Sequence, residues 1–489
     1  MGVTGSLRAT AAKLRQLVWS EPANPVERRL LRKADWLILP YLCLTVTGLG
    51  AALKMHGGQY NNVLAFFTAG YAISMIPQNL LLLVIRPRIL FPVNGVIWGT
   101  LTAASAAVTK VEHLYIIKFF QGAAEASTFV GAHYILGSWY KPEEIGRRAA
   151  IFSISGQAAS LFSGPMQTAM FHHLDGRHGI AGWQWLLIVC GIITVPITVA
   201  GAFLLPDTPA TTRTRLLSAE ERAYAAERVA TPANTKLDRT LFRRLFARWE
   251  IWTFSLLWVA GGAIESYGAW GIMTLWMRAQ KTATLRPFYS IDQLNHYPLG
   301  IAAVAIVALF TTSVWTDRRT QDRWAVNLLT SACVVVSAAV VLHGGLHPGA
   351  FSRGVHFFAF YLSGVSFAGQ ASNFSWVNEL LAHDEQVRSI VLASMNLASY
   401  AFNSWFQVVF FKASDAPKFQ KGSSLILAFC VLLVLFTSLA RALQIRNQRR
   451  VITRDACGAA DLASEAEDDK KLDPEDLPDL ATGAVPSLA

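Results

Sequence analysis

Charged residues are scarce in this sequence. Of its 489 residues, 15% are Asp, Glu, Lys or Arg and 53% are apolar, whereas soluble domains carry about 25% charged residues. The charges cluster in short segments, and the apolar runs between them reach the roughly 20 residues that a helix needs to cross about 30 Å of hydrocarbon. This composition excludes an ordinary soluble globular protein and predicts an integral membrane protein with many spans.

Cysteine is also infrequent, and no cysteine has the spacing of a metal site. The five cysteines are scattered and odd in number, which argues against a disulfide framework. We interpret them as small packing residues: Cys43, Cys190, Cys333, Cys430 and Cys457. His172, His173 and His178 share one loop, but their spacing fits no metal cage. The sequence therefore predicts no bound metal.

Motifs for catalysis and ATP use are missing too. The sequence has no glycine-rich phosphate loop, zinc signature or nucleophile elbow, which disfavours an ATP-driven pump and an enzyme. We expect no cofactor and no catalytic residue. The net charge of +11 does not indicate nucleic-acid binding, because the basic residues lie in loops between spans.

The apolar segments predict an all-α bundle of twelve transmembrane helices in two six-helix halves, separated by a long polar loop. The predicted spans are 36–53, 63–85, 90–108, 114–140, 149–171, 183–205, 250–277, 298–316, 324–343, 355–381, 388–411 and 422–444. Lys and Arg concentrate in both tails, in the central loop and in the short loops on the same side. This distribution predicts that both termini are cytoplasmic.

The polar segments divide the chain further. The predicted regions are a cytoplasmic tail 1–33, an N-terminal half 34–205, a linker 206–248, a C-terminal half 249–444 and a tail 445–489. In the linker, Ser218 and Glu221 have the spacing of a capping box and predict a short amphipathic helix on the cytoplasmic surface. After Arg454 the tail is acidic and lacks aromatic residues, so we predict that it is disordered.

Two charged residues lie inside the fourth span. A charge at mid-bilayer costs roughly 2.5–3.5 kcal/mol and is a functional candidate by default. Glu125 is near the middle of the span, and Lys118 is two turns away on the same face with Gln121 between them. Two interpretations stay open. One is a structural ion pair; in the other, Glu125 binds a proton, Lys118 binds an anionic solute or takes part in proton coupling, and Gln121 lines the solute cavity.

Polar residues also mark spans 7, 10 and 11. In span 7, Glu265 lies close to Tyr267 and Trp270, which indicates either a cavity wall or a packing carboxyl held protonated by burial. In the other two spans the polar candidates for a solute cavity are Gln370, Asn373, Asn396, Asn403 and Gln407. Such stripes must face protein or water, so they indicate cavity lining or hydrogen bonds between helices.

The two halves share a weak repeat at the predicted cytoplasmic helix ends. Glu143-Glu144-Ile-Gly-Arg147-Arg148 follows span 4, and Asp384-Glu385-Gln-Val-Arg388 follows span 10. Parallel six-span repeats build one large class of transporters, with the solute site between the halves. We predict a cytoplasmic gate formed by Glu144, Arg148, Asp317, Arg318, Glu385 and Arg388.

Several stretches form a recognisable set. They are Ile76-Pro77-Gln78-Asn79-Leu80, Lys118-Phe-Phe-Gln-Gly-Ala-Ala-Glu125, His133-Tyr-Ile-Leu-Gly-Ser-Trp139-Tyr140, Gly182-Trp183-Gln184-Trp185 and Pro206-Asp207-Thr208-Pro209. With these, the chain resembles the major facilitator superfamily. Within that superfamily it resembles the fungal anion:cation symporter branch that includes allantoate permease, and most of all the pantothenate or vitamin-type transporters. The resemblance covers roughly 34–441.

The resemblance implies proton-coupled uptake of a small organic anion, pantothenate-like or allantoate-like, by alternating access. It implies a monomer in the lipid of the plasma membrane, with the solute and protons as partners. The chain departs from the family in a shorter first helix, in Lys118 where many members have Arg, and in a loop between spans 2 and 3 without an acidic residue. Two alternatives stay open: an exporter of a secondary metabolite, or a non-transporting sensor or inactive paralogue.

Overall fold

The computed structural model describes residues 24–45, 59–214, 216–228, 240–268, 270–281, 286–319, 322–412 and 415–469. These residues form helices joined by short connections. Within the described residues, β-structure is limited to an isolated bridge between Lys281 and Pro287. The fold is therefore all-α, as the sequence predicts.

The N-terminal half contains seven helices among the described residues. They are α1 Pro25–Thr45, α2 Gln59–Val84, α3 Pro87–Ala104, α4 Val111–Glu125, α5 Thr128–Trp139, α6 Pro142–Leu174 and α7 Gly182–Leu204. The linker contributes α8 Ala219–Arg228 and α9 Leu241–Phe246. The described C-terminal half comprises α10 Trp249–Gly268, α11 Trp270–Ala279, α12 Ile291–His296, α13 Leu299–Arg318, α14 Ala325–Leu346, α15 Arg353–Ser363, α16 Ala368–Leu380, α17 Glu385–Phe410 and α18 Gln420–Asp469.

Each predicted span coincides with one of these helices or with a consecutive pair. Among the described residues, six helices are long and apolar enough to cross a membrane: Ala65–Val84, Pro87–Ala107, Gly182–Leu204, Leu299–Arg318, Ala325–Leu346 and Gln420–Arg450. The other predicted spans are polar or interrupted. Span 4 changes helix between Glu125 and Thr128, and span 10 passes through the 3-10 turn Gly364–Phe367. The end of the predicted first span, 46–53, and its predicted shortening lie outside the described residues.

Small residues bring helices of the N-terminal half into backbone contact. A Cβ atom on Gly122 of α4 would lie 2.2 Å from the Phe67 carbonyl oxygen and 2.9 Å from the Tyr71 nitrogen of α2. A Cβ atom on Gly70 would lie 2.0 Å from the Phe119 carbonyl oxygen. Only glycine allows this approach, which is how helices gain contact where lipid supplies no hydrophobic drive. Spans 2 and 4 are thus fixed in one register.

The two halves meet along spans from both sides of the repeat. α2 packs on α17, and α6 packs on α13 and α16. α5 also contacts α16 and α17. Spans 2, 4 and 5 of the N-terminal half therefore face spans 8, 10 and 11 of the C-terminal half.

The predicted capping box in the linker is present. The Ser218 hydroxyl accepts from the Glu221 backbone N–H at 3.1 Å, and the Ser218 N–H donates to the Glu221 carboxylate at 2.8 Å. At the other end of α8, the Arg228 guanidinium is 2% exposed and donates to Glu27 at 2.7 Å and to Glu144. Lys141 also donates to Glu27, at 3.1 Å. These contacts hold α8 on the N-terminal half.

Replacing Arg228 by alanine is expected to lower the thermal midpoint of the purified protein at pH 7. Loss of one member of a buried ion pair costs about 3–5 kcal/mol. Burial raises the pKa of Glu27, but hydrogen bonds from Arg228 and Lys141 more than offset this, so its pKa lies below the ordinary value. A depressed pKa contributes stability above the ordinary pKa and loses it as the pH falls through the folded-state pKa.

The midpoint should therefore drop on acidification toward pH 3 by less in Arg228→Ala than in the native chain. Thermal unfolding in detergent at pH 7 and pH 3 measures both effects. Arg222→Ala on the same helix is the control, and it should change neither the midpoint nor its pH dependence. Equal midpoints for native chain and Arg228→Ala at pH 7 would contradict the assigned role.

The chain forms two compact units, residues 1–437 and 438–489. In the second unit α18 continues to Asp469, and the Arg441 guanidinium donates to the Gln444 side chain at 3.1 Å. The predicted disordered tail 445–489 is therefore helical as far as Asp469. Its Ala, Leu, Arg and Glu residues favour helix strongly, and this propensity outweighs the acidic composition used for the prediction. Residues 470–489 lie outside the described residues.

Candidate solute cavity

A cavity of about 250 Å³ lies between the two halves. Its wall comes from spans 4, 7, 10 and 11 and combines aromatic rings with amide, hydroxyl and carboxyl groups. The lining residues are Phe129, Trp258, Gly262, Glu265, Ser266, Phe367, Gln370, Asn396, Ser399, Tyr400 and Asn403. Mostly apolar walls with a few polar groups are typical of small-molecule sites.

Interrupted helices border this cavity. Phe129 is in the first turn of α5, directly after the break in span 4, and Phe367 ends the 3-10 turn in span 10. Glu265 lies in the last turn of α10, close to where α11 begins. Interrupted spans are tolerated at membrane depth where they are buried in protein or line a cavity, and they build solute sites in many transporters.

Two polar side chains in the wall have unused hydrogen-bonding atoms. The Gln370 amide donates to one oxygen of Glu265 at 3.0 Å, while the other oxygen, Oε1, is buried and without a hydrogen-bond partner among the described residues. The Asn403 amide donates to the Ser399 hydroxyl at 3.2 Å, and its buried Oδ1 is likewise unpaired there. Buried polar atoms are nearly always paired, so these two atoms are positions where a ligand, a proton or water can bind.

Gly262 makes room for these groups. A Cβ atom at this position would lie 1.9 Å from the Ser399 hydroxyl oxygen and 2.8 Å from the Asn403 amide nitrogen. Spans 7 and 11 therefore approach closely at the level of the cavity. The absence of a side chain at Gly262 lets the polar stripe of span 11 reach the cavity wall.

Four of the predicted cavity residues line the cavity, namely Glu265, Gln370, Asn396 and Asn403. Sequence reasoning missed its aromatic wall, including Phe129, Trp258 and Tyr400. Tyr400 had a detectable signal, because it lies four residues after Asn396 and so shares its helix face. The other aromatic residues carry no polar group that distinguishes them from ordinary packing residues.

Other predicted residues bond neighbouring helices instead. The Tyr267 hydroxyl lies 3.4 Å from the Ser337 hydroxyl. Asn373 and Asn327 exchange hydrogen bonds of 2.8 and 3.0 Å. Tyr267 and Asn373 therefore form hydrogen bonds between helices, because their side chains point toward Ser337 and Asn327 of span 9. The side chains of the predicted residues Trp270 and Gln407 lie outside the described residues.

Among the residues that the structure describes, Lys118 and Glu125 do not form a direct ion pair. The Lys118 ammonium donates to the Gln121 side-chain oxygen at 2.8 Å, and the Gln121 amide donates to the Thr102 hydroxyl at 3.0 Å. Lys118 and Gln121 thus bond span 4 to span 3. Glu125 interacts with Lys118 only at longer range, through electrostatics. The two charges lie on one side of span 4 but are free to act separately.

Contacts between the halves close the end of the bundle that carries the linker, which we call the linker end. Asp317 of span 8 is buried and accepts from the Gly146 N–H at 2.9 Å, the Arg147 N–H at 2.8 Å and the Arg147 side chain at 2.9 Å. Arg323 adds a hydrogen bond to the Pro142 carbonyl oxygen. The first turns of α6 are thereby fixed to the end of span 8 and to Arg323, which follows it.

A second group of contacts joins span 4 to spans 10 and 11 at the same end. The buried Arg388 side chain donates to the Gly137 carbonyl at 3.2 Å and to the Ser138 hydroxyl at 3.1 Å. The Tyr134 hydroxyl donates to the Glu385 carboxylate. The Asn378 amide donates to the His133 carbonyl at 3.2 Å. At the linker end, the contact between spans 5 and 8 is an ion pair between Arg147 and Asp317. The contacts of span 4 with spans 10 and 11 are mainly hydrogen bonds to neutral acceptors, such as those that Arg388 donates.

The sequence matches the Major Facilitator Superfamily pattern over residues 36–406. The chain belongs to the major facilitator superfamily. It is 37% identical over 446 residues to the pantothenate transporter FEN2 of Saccharomyces cerevisiae, covering 86% of this chain and 85% of that one. It is 34% identical over 443 residues to the pantothenate transporter liz1 of Schizosaccharomyces pombe, covering 87% and 84%.

Solved structures of the superfamily share this fold. The proton:xylose symporter XylE aligns with a TM-score of 0.61 at 13% identity, covering 83% of this chain and 92% of XylE. The family match and the two transporter relatives show that the chain is a multi-pass membrane transporter of the major facilitator superfamily and not an enzyme.

In this member of the superfamily the predicted gate residues differ in their contacts. Asp317, Glu385 and Arg388 connect the two halves, whereas Arg148 pairs with Asp35 of α1 at 2.6 Å and Glu144 pairs with Arg228 of the linker. The Arg318 side chain is exposed. The cross-half residues missed by sequence reasoning include Arg323 and Tyr134, and also Arg147, although Arg147 belongs to the same repeated motif as Arg148.

Proposed function

We propose that this transporter carries out proton-coupled uptake of a small organic anion, pantothenate or a close analogue, across the plasma membrane. The linker end faces the cytoplasm in this proposal, and the cavity alternates between the two sides. The observation that supports it most is the cavity between the halves, with its unpaired Glu265 oxygen and amide stripe, in a chain 37% identical to a pantothenate transporter.

Energetics favours coupling to protons. Moving one negative charge into an inside-negative cell costs about 2.3 kcal/mol per 100 mV. Cotransport of a single proton makes the step electroneutral, and two protons make it favourable. A carboxyl side chain in the pathway is the simplest carrier of such a proton. Its protonated, neutral form costs far less free energy inside the membrane than its ionised form does.

The polar groups suggest a division of roles. We assign proton binding to Glu265 in the cavity and to Glu125 in span 4, which has no direct ion-pair partner among the described residues. Asn396 and Asn403 contact the solute from span 11. Lys118 supplies the positive charge that attracts the solute carboxylate, exchanging its hydrogen bond with Gln121 for one with the solute.

Uptake of labelled pantothenate at several external pH values tests the proposal. The host is yeast that lacks its own pantothenate transporter and expresses this chain, with surface placement verified by immunofluorescence. Uptake by the native chain should rise as the external pH falls. Glu125→Gln should lose that dependence, whereas Glu112→Gln, an exposed carboxylate in the first turn of the same helix, should keep it.

Protein at the surface with no uptake at any pH would overturn pantothenate as the solute. Uptake by the native chain that is constant with pH would overturn proton coupling. A Glu125→Gln variant with native pH dependence would remove Glu125 from the coupling role while leaving the transport assignment intact.

A further inference from the structure

A buried hydrogen bond joins the two halves beside the cavity. The Asn396 amide of span 11 donates to the Tyr71 hydroxyl of span 2 at 3.2 Å. Both residues are 3% exposed. Unlike the contacts at the linker end, this one involves a side chain that lines the cavity. Any movement of span 2 against span 11 must therefore alter the polar wall of the cavity.

A second aromatic residue extends this contact. The rings of Tyr71 and Tyr400 lie 4.7 Å apart between centroids with a 35° tilt. Tyr400 is itself part of the cavity wall, which it shares with Glu265. Tyr71 thus contacts two cavity residues from the opposite half of the protein, Asn396 through its hydroxyl and Tyr400 through its ring.

The backbone of Tyr71 is close to the turn of α4 that ends at Glu125. The backbone contact between Gly122 and Tyr71 places the last turn of α4 against this part of α2. Glu125 is three residues after Gly122, nearly one turn further along the helix. Its carboxylate is within electrostatic range of both the Tyr71 and Tyr400 hydroxyls. Tyr71 therefore has the Glu125 carboxylate of its own half within electrostatic range and contacts cavity residues of the other half.

We propose that the Tyr71 hydroxyl, held by Asn396 and Tyr400, transmits the protonation state of Glu125 to the solute cavity. The inference rests on the proposed proton-coupled uptake and assigns to Tyr71 the role of a positioning residue. A tyrosine hydroxyl has a single proton to donate. When Glu125 is ionised, its charge orients that proton toward it. When Glu125 is protonated, the Tyr71 proton turns to Tyr400, whose own proton is then directed toward the cavity.

Removing the Tyr71 hydroxyl oxygen distinguishes this role from simple packing of the ring. Tyr71→Phe keeps the ring contact with Tyr400 but removes the donor to the hydroxyl network and the acceptor for Asn396. If the ring alone matters, the variant behaves as the native chain. If the hydroxyl connects proton binding to the cavity, the variant still binds and moves solute but no longer uses a proton gradient to concentrate it.

The test uses the full chain reconstituted in proteoliposomes. It compares accumulation of labelled pantothenate driven by an imposed pH gradient with exchange of labelled for unlabelled pantothenate at equal pH on both sides. For Tyr71→Phe, gradient-driven accumulation should fall about tenfold while exchange stays within about twofold of native. Tyr115→Phe, which removes a hydroxyl from a ring stacked on Phe66 in the same half, should leave both rates unchanged.

Equal losses of accumulation and exchange in Tyr71→Phe, or no loss of either, would overturn the inference while the native chain still accumulates solute. A native chain that does not accumulate pantothenate in response to a pH gradient would instead remove the proposed function, and this inference with it.

Discussion

Replacing Asp317 by asparagine is expected to open the linker end and to reduce uptake by at least about tenfold. Asp317 is buried against Arg147 and accepts two backbone hydrogen bonds from the first turns of α6. Removing one partner of a buried ion pair costs roughly 3–5 kcal/mol, because the other charge stays buried without compensation. The contact with Arg147 joins different halves and is broken when they separate, so its loss destabilises the closed linker end. The 3.5 Å contact of Asp317 with Arg323 lies within the C-terminal half, and its loss affects both states.

Thiol labelling measures the opening directly. Ser389 is fully buried at the linker end and donates to the Asn79 carbonyl of span 2 at 3.3 Å. A Ser389→Cys probe should react slowly with a membrane-impermeant maleimide applied to the linker side, and about tenfold faster or more once Asp317→Asn is added.

The matched control is Arg319→Ala, which removes an exposed charge two residues away. It should alter neither labelling nor uptake. If Asp317→Asn reduced uptake but left the labelling rate of the Ser389→Cys probe unchanged, Asp317 would affect transport by some other means than closing the linker end.

The spans and the two halves could be read from the sequence because the bilayer imposes one simple requirement. Every backbone polar group in hydrocarbon must be paired within its own helix, so long apolar runs have few alternatives. The stripe on span 11 was predictable for a related reason. Asn396 and Asn403 are seven residues apart, two helical turns, and a polar face in a membrane must contact protein or water. Both residues line the cavity.

The gate was harder to predict, because the pairing of charges depends on how helices are rotated against each other. Arg147 and Arg148 are adjacent in sequence, yet neighbouring residues on a helix point about 100° apart. Arg147 consequently reaches Asp317 in the other half, whereas Arg148 reaches Asp35 in its own. A single chain contains no signal that distinguishes these two partners.

The inner polar residues show the same limit. Glu265 and Tyr267 are two residues apart on span 7, and sequence reasoning placed both in the cavity. The structure directs Glu265 to the cavity and Tyr267 to Ser337 of span 9. The position of a residue along an apolar run predicts its depth in the membrane. Which helix its side chain faces depends on how the helices assemble in the bundle. Only tertiary contacts separate a solute ligand from a structural hydrogen bond here.

Replacing Glu265 by glutamine is expected to abolish the rise of uptake at low external pH and to reduce concentrative uptake by about tenfold or more. Glutamine is close in shape to a protonated carboxyl group and still accepts the hydrogen bond from Gln370, but it cannot release a proton. A carrier that binds a proton outside and releases it inside gains from lower external pH. A side chain fixed in the neutral form removes this gain, so the pH profile becomes flat.

Gln370→Ala separates proton binding from the positioning of the carboxylate. It removes the 3.0 Å hydrogen bond to Glu265 but leaves the carboxyl group in the cavity. We expect a higher KM for pantothenate with the pH dependence of uptake retained. The measurement is initial uptake at external pH 4.5 to 7.5 over a range of pantothenate concentrations. If Glu265→Gln kept a rising profile and changed only KM, as expected for Gln370→Ala, Glu265 would be a solute ligand, and the coupling proton would have to be carried elsewhere, with Glu125 the next carboxyl group to test.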